Sequence, residues 1–248
     1  MIYSPLWTVT ILGISWLIPH SIPVFRNNYN KIRETIKNNT IFTSECISDI
    51  HQAQLNLLDR TIGQMVNSVC QLLIIVWACY NLIIADATDS LNAFVVGFYL
   101  YDTIHLYIHP YGKTQRVYIV HHLVTIGIIA YIQYVATGYS IFGNINYILL
   151  ELSSTSINVT NIVKFFNPMA KYNITISGIN VNIYFITRIV MFPLSLLLLS
   201  YMVYESDSSA KYIYIPPITL FSILYGVCIQ WFIALVKKHE ETRRKWLL

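Results

Sequence analysis

Long apolar stretches separated by short polar ones run through the whole chain. A helix that crosses a bilayer needs about 20 mostly apolar residues. Seven stretches reach that length: 3–25, 63–85, 91–109, 117–137, 141–163, 177–203 and 213–236. The pattern predicts an all-α, multi-pass membrane bundle of seven transmembrane helices. Stretch 141–163 is the most polar, with Asn144, Asn146, Glu151, Asn158 and Asn161. A helix is predicted there too, because backbone at lipid depth must satisfy its own hydrogen bonds.

Composition agrees. Of 248 residues 55% are hydrophobic and 11% charged, against about 25% charged in soluble domains. The basic residues fix an orientation. Fourteen of the 16 Lys and Arg fall in segments 26–62, 110–116, 164–176 and the tail, one (Lys211) lies on the opposite side, and Arg188 lies inside a span. The positive-inside rule makes the basic side cytosolic, which places the N-terminus in the lumen and the C-terminus in the cytosol. The first basic residue, Arg26, follows the first apolar stretch, whereas a cleavable signal has its charges in front. The net charge of +4 belongs to topology and to anionic lipid surfaces, so no nucleic acid is expected as a partner. Cys46, Cys70, Cys79 and Cys228 are scattered and read as small buried hydrophobes rather than a disulfide framework.

Charges inside spans are informative because each costs about 2.5–3.5 kcal/mol on insertion scales. Asp102, Glu151 and Arg188 stand out, with His105, His109, His121 and His122 near them in depth. At 1.5 Å per residue, Asp102, His105, His121 and His122 share one layer toward the cytosolic side. Glu151 and Arg188 lie nearer the midplane, and a direct ion pair between them is the simplest resolution of two costly charges. Asp102 next to an imidazole would orient its tautomer, as general-base or nucleophilic work requires. Successive helix residues point about 100° apart, so one of His121 and His122 is expected to face a cavity near Asp102 and the other a neighbouring helix. No metal site is expected. The pair His105 and His109 and the adjacent His121 and His122 resemble desaturase histidine boxes, but seven histidines in all are too few for that di-iron chemistry.

Four ordered segments carry a resemblance: Gly97-Phe-Tyr-Leu-Tyr-Asp102, His121-His122-Leu-Val-Thr125, Glu151-Leu-Ser-Ser154 followed by Asn158, and Tyr184-Phe-Ile-Thr-Arg188 followed by Pro193. Together they resemble the TLC-domain family, which includes ceramide synthases and TRAM-like translocon proteins. The resemblance implies a first helix and cytosolic loop over 1–54, a TLC domain over 55–236 and a basic cytosolic tail over 237–248. It also implies an endoplasmic-reticulum or other intracellular membrane and lipid handling in an intramembrane cavity, extending to acyl transfer onto a lipid amine or hydroxyl. In that case His121, His122 and Asp102 would be the catalytic candidates. No resident cofactor is implied; acyl-CoA would be the co-substrate, meeting Lys113 and Arg116 at the cytosolic mouth. Glu151 and Arg188 would be a lipid-binding or structural polar pair. Membrane lipids are the expected partners, and a homo-oligomer is an open option. The second His-Asp…Asp part of the ceramide-synthase signature is missing around Leu150, Glu151 and Ser154. That keeps a non-catalytic lipid-binding, sensing or trafficking role as the alternative. A seven-span receptor or photoreceptor is disfavoured, since stretch 213–236 has no Lys for a retinal Schiff base.

The alternation of basic loops generates a test. Single cysteines placed at 110–116 and at 204–212 should label from opposite sides of the membrane. Labelling from one side only would refute the seven-span assignment.

Overall fold

The structure, a computed structural model, describes residues 44–84, 89–108, 115–134, 140–166, 171–205 and 209–247, together with Thr8 and Ile11. The expected first span, 3–25, lies outside the described residues apart from these two, as do His109 and Lys113. The described elements are α1 (Ser44–Ile84), α2 (Asp89–Ile108), α3 (Gln115–Tyr134), α4 (Ser140–Phe166), α5 (Tyr172–Tyr184), a π-helical segment (Phe185–Met191), α6 (Phe192–Glu205), a 3-10 turn (Ser209–Tyr214) and α7 (Ile215–Leu247). Helix α5, the π segment and α6 run on as one rod, so the described residues form six rods.

The ends of two rods differ from the sequence reading. Helix α1 has 41 residues, and its first part occupies residues 44–62, which were expected to be loop. Helix α7 continues through the basic tail to Leu247. Both over-run the apolar stretches because loss of apolar character ends a span, whereas a helix ends only where capping or a breaker stops it.

The rods close a ring. Helix α1 packs along α4 and on α2, α2 on α3, α3 on α7, α7 on the α5–α6 rod, and that rod on α4. Two apolar clusters hold it. Val66, Cys70, Ile74 and Ala78 form a stripe along α1, four residues apart, that meets Leu91, Phe94, Val95 and Phe98 of α2. Ile128, Phe142, Phe192, Leu196, Leu199, Phe221 and Leu224 join α3, α4, α6 and α7. One close approach depends on a glycine: a Cβ on Gly63 of α1 would lie 2.5 Å from the His105 ring of α2.

Polarity is inverted relative to a water-soluble bundle. Glu151, Arg188, Asn144 and Asn180 are buried, while Val76, Ile83, Leu197 and Ile223 are largely exposed. Apolar groups facing outward and polar groups facing inward suit a lipid solvent. By length and composition, the segments Arg60–Ile84, Arg116–Gln133, Tyr172–Glu205 and Tyr212–Arg244 qualify as spans. Helices α2 and α4 fall short because of the side chains they turn inward, among them His105 on α2 and Asn144, Asn146, Glu151 and Thr155 on α4. The two rods without a qualifying apolar stretch are thus among those that furnish polar groups to the interior.

The π segment has a local cause. Pro193 has no backbone N–H to return to the carbonyl four residues back, and its ring crowds that carbonyl. The helix widens, and the N–H of Phe192 reaches the Thr187 carbonyl five residues back. The Ile189 carbonyl, deprived of the Pro193 donor, accepts from the Tyr225 hydroxyl of α7 at 3.3 Å.

This generates a test of the capping. Tyr225→Phe should lower stability by about 1 kcal/mol, the scale of one part-buried hydrogen bond, read as a lower Tm in detergent. The loss should largely vanish in a Pro193→Ala background, where the missing backbone donor is restored.

Candidate functional site

All six rods contribute to a cavity of about 350 Å³ inside the ring, whose lining includes Asp102, His121, His122, Glu151 and Arg188. The sequence reading singled out these five residues, and the structure brings them to one space.

Asp102 lies on the inner face of α2. Its Oδ1 accepts from the Asn67 side-chain amide of α1 at 2.7 Å. Its Oδ2 lies 3.4 Å from His122 Nε2 of α3. The other ring nitrogen of His122 lies 3.4 Å from the Thr103 hydroxyl, and that hydroxyl donates its proton to the Tyr99 carbonyl at 2.7 Å. Thr103 therefore has only lone pairs to offer His122. Both imidazole nitrogens lie beside oxygen atoms, at the long end of hydrogen-bond range.

His121 is placed differently. Its ring meets Trp231 of α7 edge-on, with centroids 5.3 Å apart, and Trp231 also stacks on Tyr118. His121 Nδ1 is buried and has no hydrogen-bond partner among the described residues. One histidine, His122, lies against Asp102 and the other, His121, packs on a neighbouring helix, as the spacing leads one to expect, but both line the cavity. What separates them is commitment: His122 is engaged at both nitrogens, while His121 packs on a neighbouring helix and has bonding capacity left.

Glu151 and Arg188 do not form the expected ion pair. Glu151, 2% exposed, accepts from the Tyr99 hydroxyl of α2 at 2.5 Å, the short range of a hydroxyl donating to a carboxylate. Arg188, 5% exposed, is satisfied around the turn of α4 that holds Glu151. Its Nε donates to Ser153 Oγ at 2.5 Å, and its Nη2 donates to Ser154 Oγ at 2.6 Å and to the Leu150 carbonyl at 2.9 Å. Nη1 lies 3.8 Å from Cys228 Sγ of α7, and the guanidinium carbon sits 5.3 Å from the centre of the Tyr184 ring. A planar fork with five donors meets several acceptors spread over one helical turn better than it meets one carboxylate. That geometry replaces the direct pair.

The two layers expected from depth also merge. Tyr99 lies one turn from Asp102 on α2, bonds Glu151, and has its ring 5.1 Å from the His122 ring. Sequence reasoning missed Tyr99 because it reads as one more aromatic in a span. It also missed a readable signal on α1. Arg60, Gln64, Asn67 and Gln71 recur at helical spacing inside an otherwise apolar stretch, and all four line the cavity. Gln71 accepts from Asn158 at 3.1 Å and from Thr155 at 3.3 Å, which seals α1 to α4.

One end of the cavity is cationic. Arg60 and Lys238 line it there, and Lys238 also reaches Asn161 at 3.4 Å. Nearby Lys164 lies 3.5 Å from the Thr242 hydroxyl; burial lowers its ammonium pKa, and the Lys238 charge lowers it further. These replace the cations expected at the mouth. Arg116 is exposed and does not line the cavity, and Lys113 lies outside the described residues. Among the described residues, no cluster of three or more His, Cys, Asp or Glu is arranged to hold a metal ion.

The family model described as TLC domain (TRAM_LAG1_CLN8) matches residues 62–237, the part of the chain that contains every cavity residue named above except Arg60 and Lys238. No curated protein and no solved structure matches the chain.

The bonding pattern ranks two substitutions. Arg188→Met strands the neutral acceptors on α4 and should cost about 1–3 kcal/mol for each one left unsatisfied. Glu151→Gln keeps an acceptor for Tyr99 and should cost less than about 1.5 kcal/mol. Thermal unfolding in detergent should give that order; the reverse order would mean that Arg188 is not the group on which the packing depends.

Proposed function

Since the chain belongs to the TLC-domain family, we propose that it holds a membrane lipid inside the ring of helices, with the polar head among Asp102, His121, His122, Glu151 and Arg188. The observation that carries this reading is the cavity itself. It has about 350 Å³ of space, within the usual range for small-molecule sites, and combines polar groups from several rods with apolar walls. A lipid has that same division of polarity. In this proposal seven helices span an endoplasmic-reticulum or other intracellular membrane, with a lumenal N-terminus and a cytosolic C-terminus. The Arg60 and Lys238 end then opens toward the cytosol, where it suits an anionic group.

A second reading, acyl transfer onto a lipid amine or hydroxyl, is favoured by the contact between Asp102 and His122. Here His121, with uncommitted bonding capacity, takes the proton of the acceptor. The His122 and Asp102 pair orients the layer beside it, and acyl-CoA is the donor from the cytosolic side. Its thioester C–S bond breaks as the new amide or ester bond forms, and the departing CoA thiolate takes the proton held by His121. No resident cofactor is needed. If the cavity only binds, the same residues serve a lipid-sensing or trafficking protein.

Lipid profiling separates the readings. Cells expressing wild type, Asp102→Asn, His121→Ala or His122→Ala, each verified as folded, should differ in one lipid class if transfer occurs. Asp102→Asn and His121→Ala should each reduce the product at least about a hundredfold. Unchanged profiles, with lipid still bound to purified wild type, would leave the binding role; purified protein free of lipid would refute both.

A further inference from the structure

Beyond the polar layer lies a second, smaller chamber of about 70 Å³. It shares Tyr99, Thr125, Leu150 and Phe221 with the main cavity, so these four side chains form the partition between them. The chamber lies toward the opposite end of the bundle from Arg60 and Lys238, near the first turn of α2, the last turn of α3 and the start of α7.

The chamber borders several polar side chains, yet their bonding capacity is largely used. The Tyr147 hydroxyl donates to Asn92 at 2.6 Å. Asn146 donates to the Phe142 carbonyl at 2.8 Å and accepts from Ser195 at 3.0 Å. In the partition, the Tyr99 hydroxyl is held by Glu151 and the Thr125 hydroxyl by the His121 carbonyl. What the space offers is an apolar wall of side chains such as Ile128, Ile132 and Leu199. A water there would lack the two to four polar partners it needs, so the fitting occupant is hydrocarbon.

The two spaces lie end to end. Along α4 the lining runs from Asn161 in the main cavity to Gly143 in the chamber, roughly 27 Å at 1.5 Å per residue, close to the ~30 Å of a hydrocarbon core. We propose that the chamber receives the terminal carbons of a lipid acyl chain, and that Leu150 and Phe221 in the partition, with Gly143 in the chamber wall, set the chain length the protein accepts. This rests on the lipid-holding reading of the main cavity and goes further by naming where the tail ends and what measures it.

Gly143 provides a clean test, because a Cβ there would meet nothing within 4 Å. Gly143→Leu adds bulk at the chamber wall where a Cβ meets nothing and also removes a helix-weakening glycine. Phe221→Ala does the opposite and opens the partition. The full-length chain, purified in detergent, is offered an equimolar series of saturated straight-chain fatty acids from dodecanoic to tetracosanoic acid, and bound acids are quantified by mass spectrometry. Gly143→Leu should weaken binding of the longest acid that wild type retains by at least about tenfold relative to the shortest, the discrimination that a misfitted methylene gives in an apolar pocket. Phe221→Ala should shift the profile toward longer acids. If Phe221→Ala does not fold, the Gly143→Leu result decides alone. Wild type that binds acids while Gly143→Leu keeps its profile would overturn the chain-length assignment and leave the lipid-holding reading intact. Wild type that binds no acid in the series would overturn both.

Discussion

The buried guanidinium of Arg188 is the constraint to which most of the interior answers. An unpaired charge at that depth would cost several kcal/mol, so the fold has to deliver acceptors to it from other rods. Helix α4 supplies two hydroxyls and a carbonyl, and α7 supplies the Cys228 sulfur. Tyr184, one turn back on its own rod, covers one face of the group and donates to the Cys228 carbonyl at 3.2 Å. Three rods are thereby fixed around one side chain. Because Arg188 is satisfied by neutral groups, Glu151 is left to Tyr99, and through Tyr99 the network passes to α2 and the histidines.

This arrangement shows how a membrane bundle can keep a polar interior at tolerable cost. Many of the polar groups are arranged as mutual partners, and of the atoms left over, His121 Nδ1 and Asn67 Oδ1 belong to side chains that border the cavity. Around them the lipid-facing surface is apolar. The chemistry and the fold therefore share the same side chains, and a substitution at Asp102 or Arg188 perturbs both. A readout of folding is needed beside any readout of function.

Much of this was legible in the chain. Apolar stretches placed the described helices to within about three residues for α2, α3 and α4, and the costly charges pointed to the residues that now line one cavity. What the sequence did not reveal follows from geometry that spacing alone leaves open. Glu151 and Arg188 looked like an ion pair because opposite charges at equal depth usually meet; only the orientation of α4 shows that Ser153, Ser154 and the Leu150 carbonyl stand in the way. Tyr99 was hidden because a tyrosine in a span is unremarkable until its hydroxyl is seen to have a partner. The stripe of Arg60, Gln64, Asn67 and Gln71 was present in the text all along, at spacings of four, three and four, but the eye follows charges in mid-span and passes over amides.

The widened turn before Pro193 also changes the phase of the rod that contains it. The inward face of α5 runs through Asn173, Ser177, Asn180 and Tyr184. Continued at an unbroken α-helical pitch, it would bring Thr187, Met191, Ser195, Leu198 and Met202 inward; Thr187 and Ser195 are buried, yet Met191, Leu198 and Met202 are 42%, 54% and 46% exposed. Besides Ser195, the residues that turn inward are Phe192, Leu196, Leu199 and Val203, each displaced from the unbroken pattern by about one position. A helical wheel drawn straight through from Tyr172 to Glu205 would thus paint the lipid-facing side of α6 as its core. A single-residue deletion between Tyr184 and Phe192 would bring Phe192, Leu196, Leu199 and Val203 onto the unbroken pattern, so the widened turn is how the rod absorbs one extra residue while α6 keeps its aromatic contacts with α7.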